Sequence, residues 1–124
     1  MSFTRLEKTV TVDASGDATV YFDVCSGFIH SIRLVDTDLD ANTDFVFTVE
    51  RTTEAILTLA NKGATFIYYP RAATCDILGA ASLYAAAGEP VEARIALADD
   101  RIKLVVDEGG VSKYGIFYII IADN

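Results

Sequence analysis

The chain has 124 residues and a mass of 13.4 kDa, room for one domain around one core, which excludes a two-domain enzyme. Hydrophobic residues make up 52% and charged residues 23%, enough apolar surface to build a core and too much for a disordered chain. Ten Lys plus Arg against eighteen Asp plus Glu leave a net charge of −8, which repels polyphosphate and makes nucleic acid a poor partner.

The dominant pattern is period-two alternation in short runs separated by Gly, Asp, Asn and Ser, which predicts strands throughout. Residues 5–12 turn Leu6, Val10 and Val12 inward, and residues 13–17 carry the turn chemistry of a hairpin to the next strand. There Ala18, Val20, Phe22 and Val24 share the core-facing side. A third strand covers residues 28–35, with His30 in step with Phe28, Ile32 and Leu34. An acidic loop, residues 36–44, then leads to a fourth strand with Phe45, Phe47 and Val49 on one face. Residues 51–54 connect it as a hairpin to residues 55–60, and Asn61-Lys-Gly63 turns the chain into residues 65–69.

Beyond Pro70 the alternation dissolves. Residues 79–88 hold an alanine-rich stretch between glycine stops, compatible with a helical turn or two or with an irregular loop. Alternation resumes with Val91, Ala93, Ile95 and Leu97, and residues 101–106 and 114–122 are expected to close the chain as a long hairpin. The expected architecture is an all-β single domain over residues 1–124. It is a β-sandwich or jelly-roll-like barrel of about eight or nine short antiparallel strands with a short N-terminal arm at residues 1–5.

The closing strand is apolar on both faces: Phe117, Ile119 and Ile121 on one, Ile116, Tyr118 and Ile120 on the other. A sheet face in a small sandwich is normally wet, so either another layer of the chain or a partner subunit covers the second set, and Ile116, Tyr118 and Ile120 are the candidate oligomer-facing residues. Lys113 and Asp123 flank the run as charged gatekeepers.

Few residues suggest chemistry. The single histidine, His30, has no Ser or Cys motif beside it and reads as a structural histidine hydrogen-bonded to backbone. Cys25 and Cys75 have no CxxC spacing and are expected to be two reduced, buried thiols; with His30 they match no zinc pattern. In the acidic loop Asp36, Asp38, Asp40, Asn42 and Asp44 alternate as calcium-loop donors do. Ala41 stands at the glycine position and Phe47 at the terminal glutamate position, so an EF-hand is excluded and a solvated acidic loop is the simpler reading against a weak cation site. No catalytic residue, cofactor or metal is therefore assigned. Phe66, Tyr68 and Tyr69, beside Arg71, are candidates for sugar stacking or protein docking. The N-terminus lacks a basic start followed by an apolar run, so synthesis in the cytoplasm is expected. The longest apolar stretch falls far short of the roughly 20 residues of a membrane span.

Residues 69–74 (YPRAAT), 79–88 with its LYAAAG, 94–106 with IALADDRIKLVV, and the run through Gly109, Gly110 and Lys113 to the final strand together resemble a group of small tailed-bacteriophage virion structural proteins. The first half fits more loosely, through Ile32–Val35, Asp44-Phe45 and Glu54–Leu57. The resemblance implies a capsid decoration or cement protein on the exterior of the virion. Its partner would be the major capsid protein, its state a homotrimer, and its role to bridge capsomers. It points to the irregular residues 71–90 and the arm ending in Arg5 as capsid or subunit contacts. Tyr69, Arg71, Leu83 and Tyr84 belong to that set, and Arg and Tyr are the residue types that anchor interfaces. A head-to-tail connector or tail component, and a virion-displayed carbohydrate-binding sandwich, are the competing expectations.

Overall fold

The computed structural model describes residues 2–75, 77–83, 88 and 91–123. Its strands are β1 (Phe3–Thr11), β2 (Ala18–Tyr21), β3 (Cys25–Asp36), β4 (Asp44–Val49), β5 (Ala55–Leu59), β6 (Phe66–Tyr68), β7 (Arg71–Ala73), β8 (Glu92–Arg94), β9 (Ala96–Asp100), β10 (Ile102–Asp107) and β11 (Tyr114–Ala122). No helix occurs among the described residues. The larger sheet runs β1-β11-β3-β6, with β9 also paired to β3, and the smaller runs β2-β10-β4-β5. Every pairing is antiparallel, and β7 and β8 form a separate two-stranded ribbon. The molecule is a β-sandwich.

Alternation creates the core. Along β4, Phe45, Phe47 and Val49 are buried while the residues between them are partly exposed, and β10 does the same with Ile102, Leu104 and Val106. From the opposite sheet β11 contributes Phe117, Ile119 and Ile121, and β3 contributes Ile29, Ile32 and Leu34. Phe117 stands edge-on to both Phe45 and Phe47, with ring centroids 5.6 and 5.8 Å apart, and this joins the two sheets through favourable aromatic geometry.

Short-range pairing follows the sequence at β4 and β5, which form the expected hairpin around residues 51–54, with Thr53 at φ 59°. Two other expected hairpins are absent. β1 and β2 lie in opposite sheets, paired to β11 and β10, and β10 and β11 are likewise split. The reason is β11. Its inner face completes the core, and both its edges are occupied, by β1 along all nine residues and by β3 on the other side, so β10 has no edge to pair with. The loops at residues 12–17 and 108–113 cross between sheets instead of reversing within one. β2 also ends early: Phe22 is buried, but Val24 is more than half exposed and faces no core.

Residues 71–90 are partly regular. β7 pairs with β8, and Cys75 bridges to Ala81 across a turn at Ile77 and Leu78; residues 79–83, the described start of the alanine-rich stretch, hold no helical turn. Tyr84 and its neighbours to residue 87 lie outside the described residues. The expected N-terminal arm is also built in: Phe3, Thr4 and Arg5 are the first rungs of β1, opposite Ala122, Ile121 and Ile120. Ser2 donates its backbone N–H to the Asp123 carboxylate at 2.8 Å, and the Asp123 N–H returns to the Ser2 carbonyl.

Candidate interaction face

The outer face of the larger sheet gathers most of the residues singled out from the sequence. β11 is central, so its outward residues have neighbours on both sides: Ile116 lies between Thr9 and Val35, Tyr118 between Glu7 and Arg33, Ile120 between Arg5 and Ser31. All three are half-buried. The Arg5 and Arg33 guanidinium groups lie over the Tyr118 ring, 5.2 and 5.7 Å from its centroid, so the long stems of these arginines cover the strand while their charges stay in water. Arg5 also meets Glu7 at 3.7 Å, both well exposed, an ion pair of little energetic weight.

At one end of this face the register slips. Ile120 pairs with Ser31 but Ile121 pairs with Ile29, leaving His30 as the extra residue of a β-bulge. The bulge takes His30 out of step with Ile32 and Leu34, which the plain alternation did not anticipate. Its ring stands edge-on between Phe3 and Tyr69, 5.7 Å from each and nearly perpendicular to both. The expected hydrogen bond from its ring to backbone is absent: Nδ1 is buried without a partner. The His30 backbone carbonyl is instead the acceptor, for Arg71, whose guanidinium also donates to the Pro70 carbonyl at 2.8 Å. These bonds hold the β7–β8 ribbon against the bulge, and Arg94 on β8 lies over the Phe28 ring at 5.1 Å.

Arg5, Tyr69, Arg71, Ile116, Tyr118 and Ile120 are thus brought to one continuous surface. Sequence reasoning missed Phe3, Arg33 and Ile67, which complete it. Phe3 is 56%, Ile67 49% and Tyr69 55% exposed. The available signal was parity, since Arg33 and Ile67 occupy paired outward rungs of β3 and β6. Tyr68, on the inward rung opposite Ile32, packs against the core and offers no stacking platform.

A second apolar surface lies beyond the ribbon. Ile77 is 99% and Leu78 91% exposed, with Leu83 also exposed nearby in sequence. Nothing in the described residues joins Leu83 to the sheet face, and Tyr84 is outside them.

The acidic loop does not form a calcium loop. Asp36 accepts the Leu39 N–H, Asp38 the Tyr114 N–H, and Asp44 the Asn61 N–H, while Asp40 pairs with Lys113 at 2.7 Å. The carboxylates are drawn apart, each to a separate structural task. Asp44 instead stands opposite Asp107, and with Glu108 these form a carboxylate cluster whose oxygens lie within 4.8 Å of one another, a grouping common on exposed surfaces. The cysteines are free, but neither is fully buried as expected: Cys25 is half-buried, and Cys75 is exposed because it sits outside the sandwich.

The chain matches no protein-family model, and no curated protein matches it significantly.

Proposed function

We propose that this protein is a tailed-bacteriophage virion structural protein that decorates the outside of the capsid and cements neighbouring capsomers. The carrying observation is that one small sandwich presents two separate exposed apolar surfaces, the arginine–aromatic sheet face and the Ile77–Leu78 loop. Monomeric domains rarely expose such surfaces without a partner. A bridging protein needs two: in this reading the sheet face meets like subunits, in a homotrimer, and the loop meets the major capsid protein. The segments resembling phage virion proteins flank that loop, at residues 69–74 and 79–88, and include most of β11, and a net charge of −8 suits the exterior of a DNA-filled shell better than its lumen. The action is mass action: a ligand that binds only the assembled lattice stabilises it, and many copies sum.

Quantitative mass spectrometry of purified particles tests the proposal. A ratio near one copy per major capsid subunit is expected, whereas a few copies per particle overturn decoration in favour of a connector or tail role. I77D/L78D is expected to lose retention on heads while keeping the wild-type melting curve.

A further inference from the structure

Among the strand edges that lack a neighbour, one differs from the rest. β1 forms an edge of the larger sheet and pairs with β11 over nine residues with no break in register. The other edges are short or irregular: β2 has four residues, and β5 and β9 have five each, with register shifts against β4 and β3. Short and bulged edges are how sandwiches avoid pairing with one another, and β1 is neither, nor does it contain a proline. Parity fixes which of its backbone groups are unused. The Val12 N–H donates to the Lys113 carbonyl at 2.9 Å and the Asp123 N–H to the Ser2 carbonyl at 3.0 Å, so even-numbered residues turn their backbone groups toward β11. Phe3, Arg5, Glu7, Thr9 and Thr11 turn theirs the other way. All five are exposed, and among the described residues these N–H and C=O groups have no partner.

We infer that two copies of this chain pair β1 to β1, antiparallel about a two-fold axis, and so join their larger sheets into one. The charge pattern of the strand selects this occupant and its register. An axis at Arg5 sets Arg5 against itself, one at Glu7 sets Glu7 against itself, and one at Lys8 does the same with Lys8; like charges directly opposite are destabilising. An axis at Leu6 pairs residues 3–9 of the two copies and places Arg5 opposite Glu7 twice, Phe3 opposite Thr9, and Thr4 opposite Lys8. Arg5 and Glu7 both lie on the outer face, where their contact within one copy is long, 3.7 Å, and well exposed at both ends. Pairing brings each a second partner and makes a cluster of two arginines and two glutamates. Leu6, inward and buried at the margin of the sandwich, meets its own copy on the axis. A foreign strand would gain the same backbone bonds, but the Arg5–Glu7 spacing about Leu6 is complementary to itself. The contact is isologous and closes at two copies. It uses the strand edge and leaves Ile116, Tyr118 and Ile120 uncovered, so it goes beyond the capsid reading and can coexist with a three-fold contact on that face.

The experiment uses the purified protein alone, by sedimentation velocity and native mass spectrometry at concentrations up to about 100 μM. Wild type is expected to run as an even multiple of the chain mass. R5E and E7R each set like charges opposite at two positions and are expected to raise the dissociation constant about tenfold or more, whereas R5E/E7R restores the complementarity with its signs reversed and is expected to assemble again. Both side chains are exposed, so the strand content by circular dichroism is expected to stay unchanged. T4C/K8C in a C75S background tests the register. Positions 4 and 8 of one strand stand about 13 Å apart, out of disulfide reach, while position 4 of one copy and position 8 of the other form a directly opposed pair about 4.5 Å apart. Oxidation is expected to link T4C/K8C into a covalent dimer and to link T4C or K8C alone far less. Failure of that link overturns the inference, as does an assembly that R5E weakens and R5E/E7R does not restore, since Arg5 then meets something other than Glu7. A wild type that is a trimer indifferent to E7R overturns it in favour of the sheet-face contact. A monomeric wild type also overturns it, and leaves the decoration proposal to stand or fall on copy number.

Discussion

Gly63 lies against the backbone of Asp40 so closely that a Cβ at position 63 would stand 1.7 Å from the Asp40 carbonyl oxygen. Neither partner is a flexible side-chain tip, so one loop must move. Gly63→Ala is therefore expected to destabilise the protein by about 2 kcal/mol or more, read as a lower urea midpoint. Gly79 provides the contrast: a Cβ there meets nothing within 4 Å, and its φ of +86° leaves only the backbone cost of about 1–2 kcal/mol for Gly79→Ala.

Phe117 is fully buried and joins both sheets through Phe45 and Phe47. Phe117→Ala opens a cavity at that junction and is expected to cost about 3–5 kcal/mol, enough to unfold a marginal domain. Phe117→Leu, which retains most of the volume, is expected to lose much less in the same denaturation experiment.

Asp17 and Asp123 respond to pH with opposite signs. A side-chain hydrogen bond to Asp107, then loss of solvent and repulsion from Asp107 and Asp13, raises the Asp17 pKa above its ordinary 3.8. The folded state thus holds that proton more tightly than the unfolded chain, and at neutral pH the ionised pair is a penalty that eases as pH falls through the raised value. Asp107→Asn is expected to raise the melting temperature at pH 7, with the gain shrinking below that window. The Ser2 hydroxyl and N–H lower the pKa of Asp123, so its contribution is present above pH 3.8 and is lost as pH falls through the depressed value. Ser2→Ala is expected to weaken it.

Asp38 serves the backbone of Tyr114 at 2.9 Å, a role for a hydrogen-bond acceptor and not a cation ligand. Asp38→Ala is expected to cost about 1 kcal/mol. A chelator is expected to leave the melting temperature of the wild type unchanged; a drop of several degrees would return the loop to the cation reading.

The two thiols are expected to separate kinetically. Cys75 is exposed, whereas burial, with a smaller effect of Asp23, pushes the Cys25 thiol up and reduces its thiolate fraction. Titration of the native protein with a disulfide reagent is expected to show one fast and one slow thiol, merging into one phase in denaturant.

The sequence made the fold class legible because alternation is local: Phe45, Phe47 and Val49 announce a core-facing strand without reference to anything distant. The two-sided run of β11 was equally visible, but apolar faces say nothing of edges, and its central place between β1 and β3 was not legible from it. What alternation does not encode is which sheet a strand joins, and both missing hairpins follow from that. The bulge at His30 was hidden for a related reason, since one inserted residue shifts parity without altering composition. The sheet face was therefore half read: Tyr118 and Ile120 were found by their own strand, while Arg33 and Ile67 enter only through cross-strand register.

The central place of β11 also dictates an order of events. β1 and β3 both pair with a strand that follows them by most of the chain, and the ends meet at Ser2 and Asp123, 121 positions apart. During synthesis, the facing edges of β1 and β3 stay without their partner until β11 leaves the ribosome. The larger sheet then assembles around it in a step dominated by distant contacts, slow by nature and exposed to wrong pairing until complete.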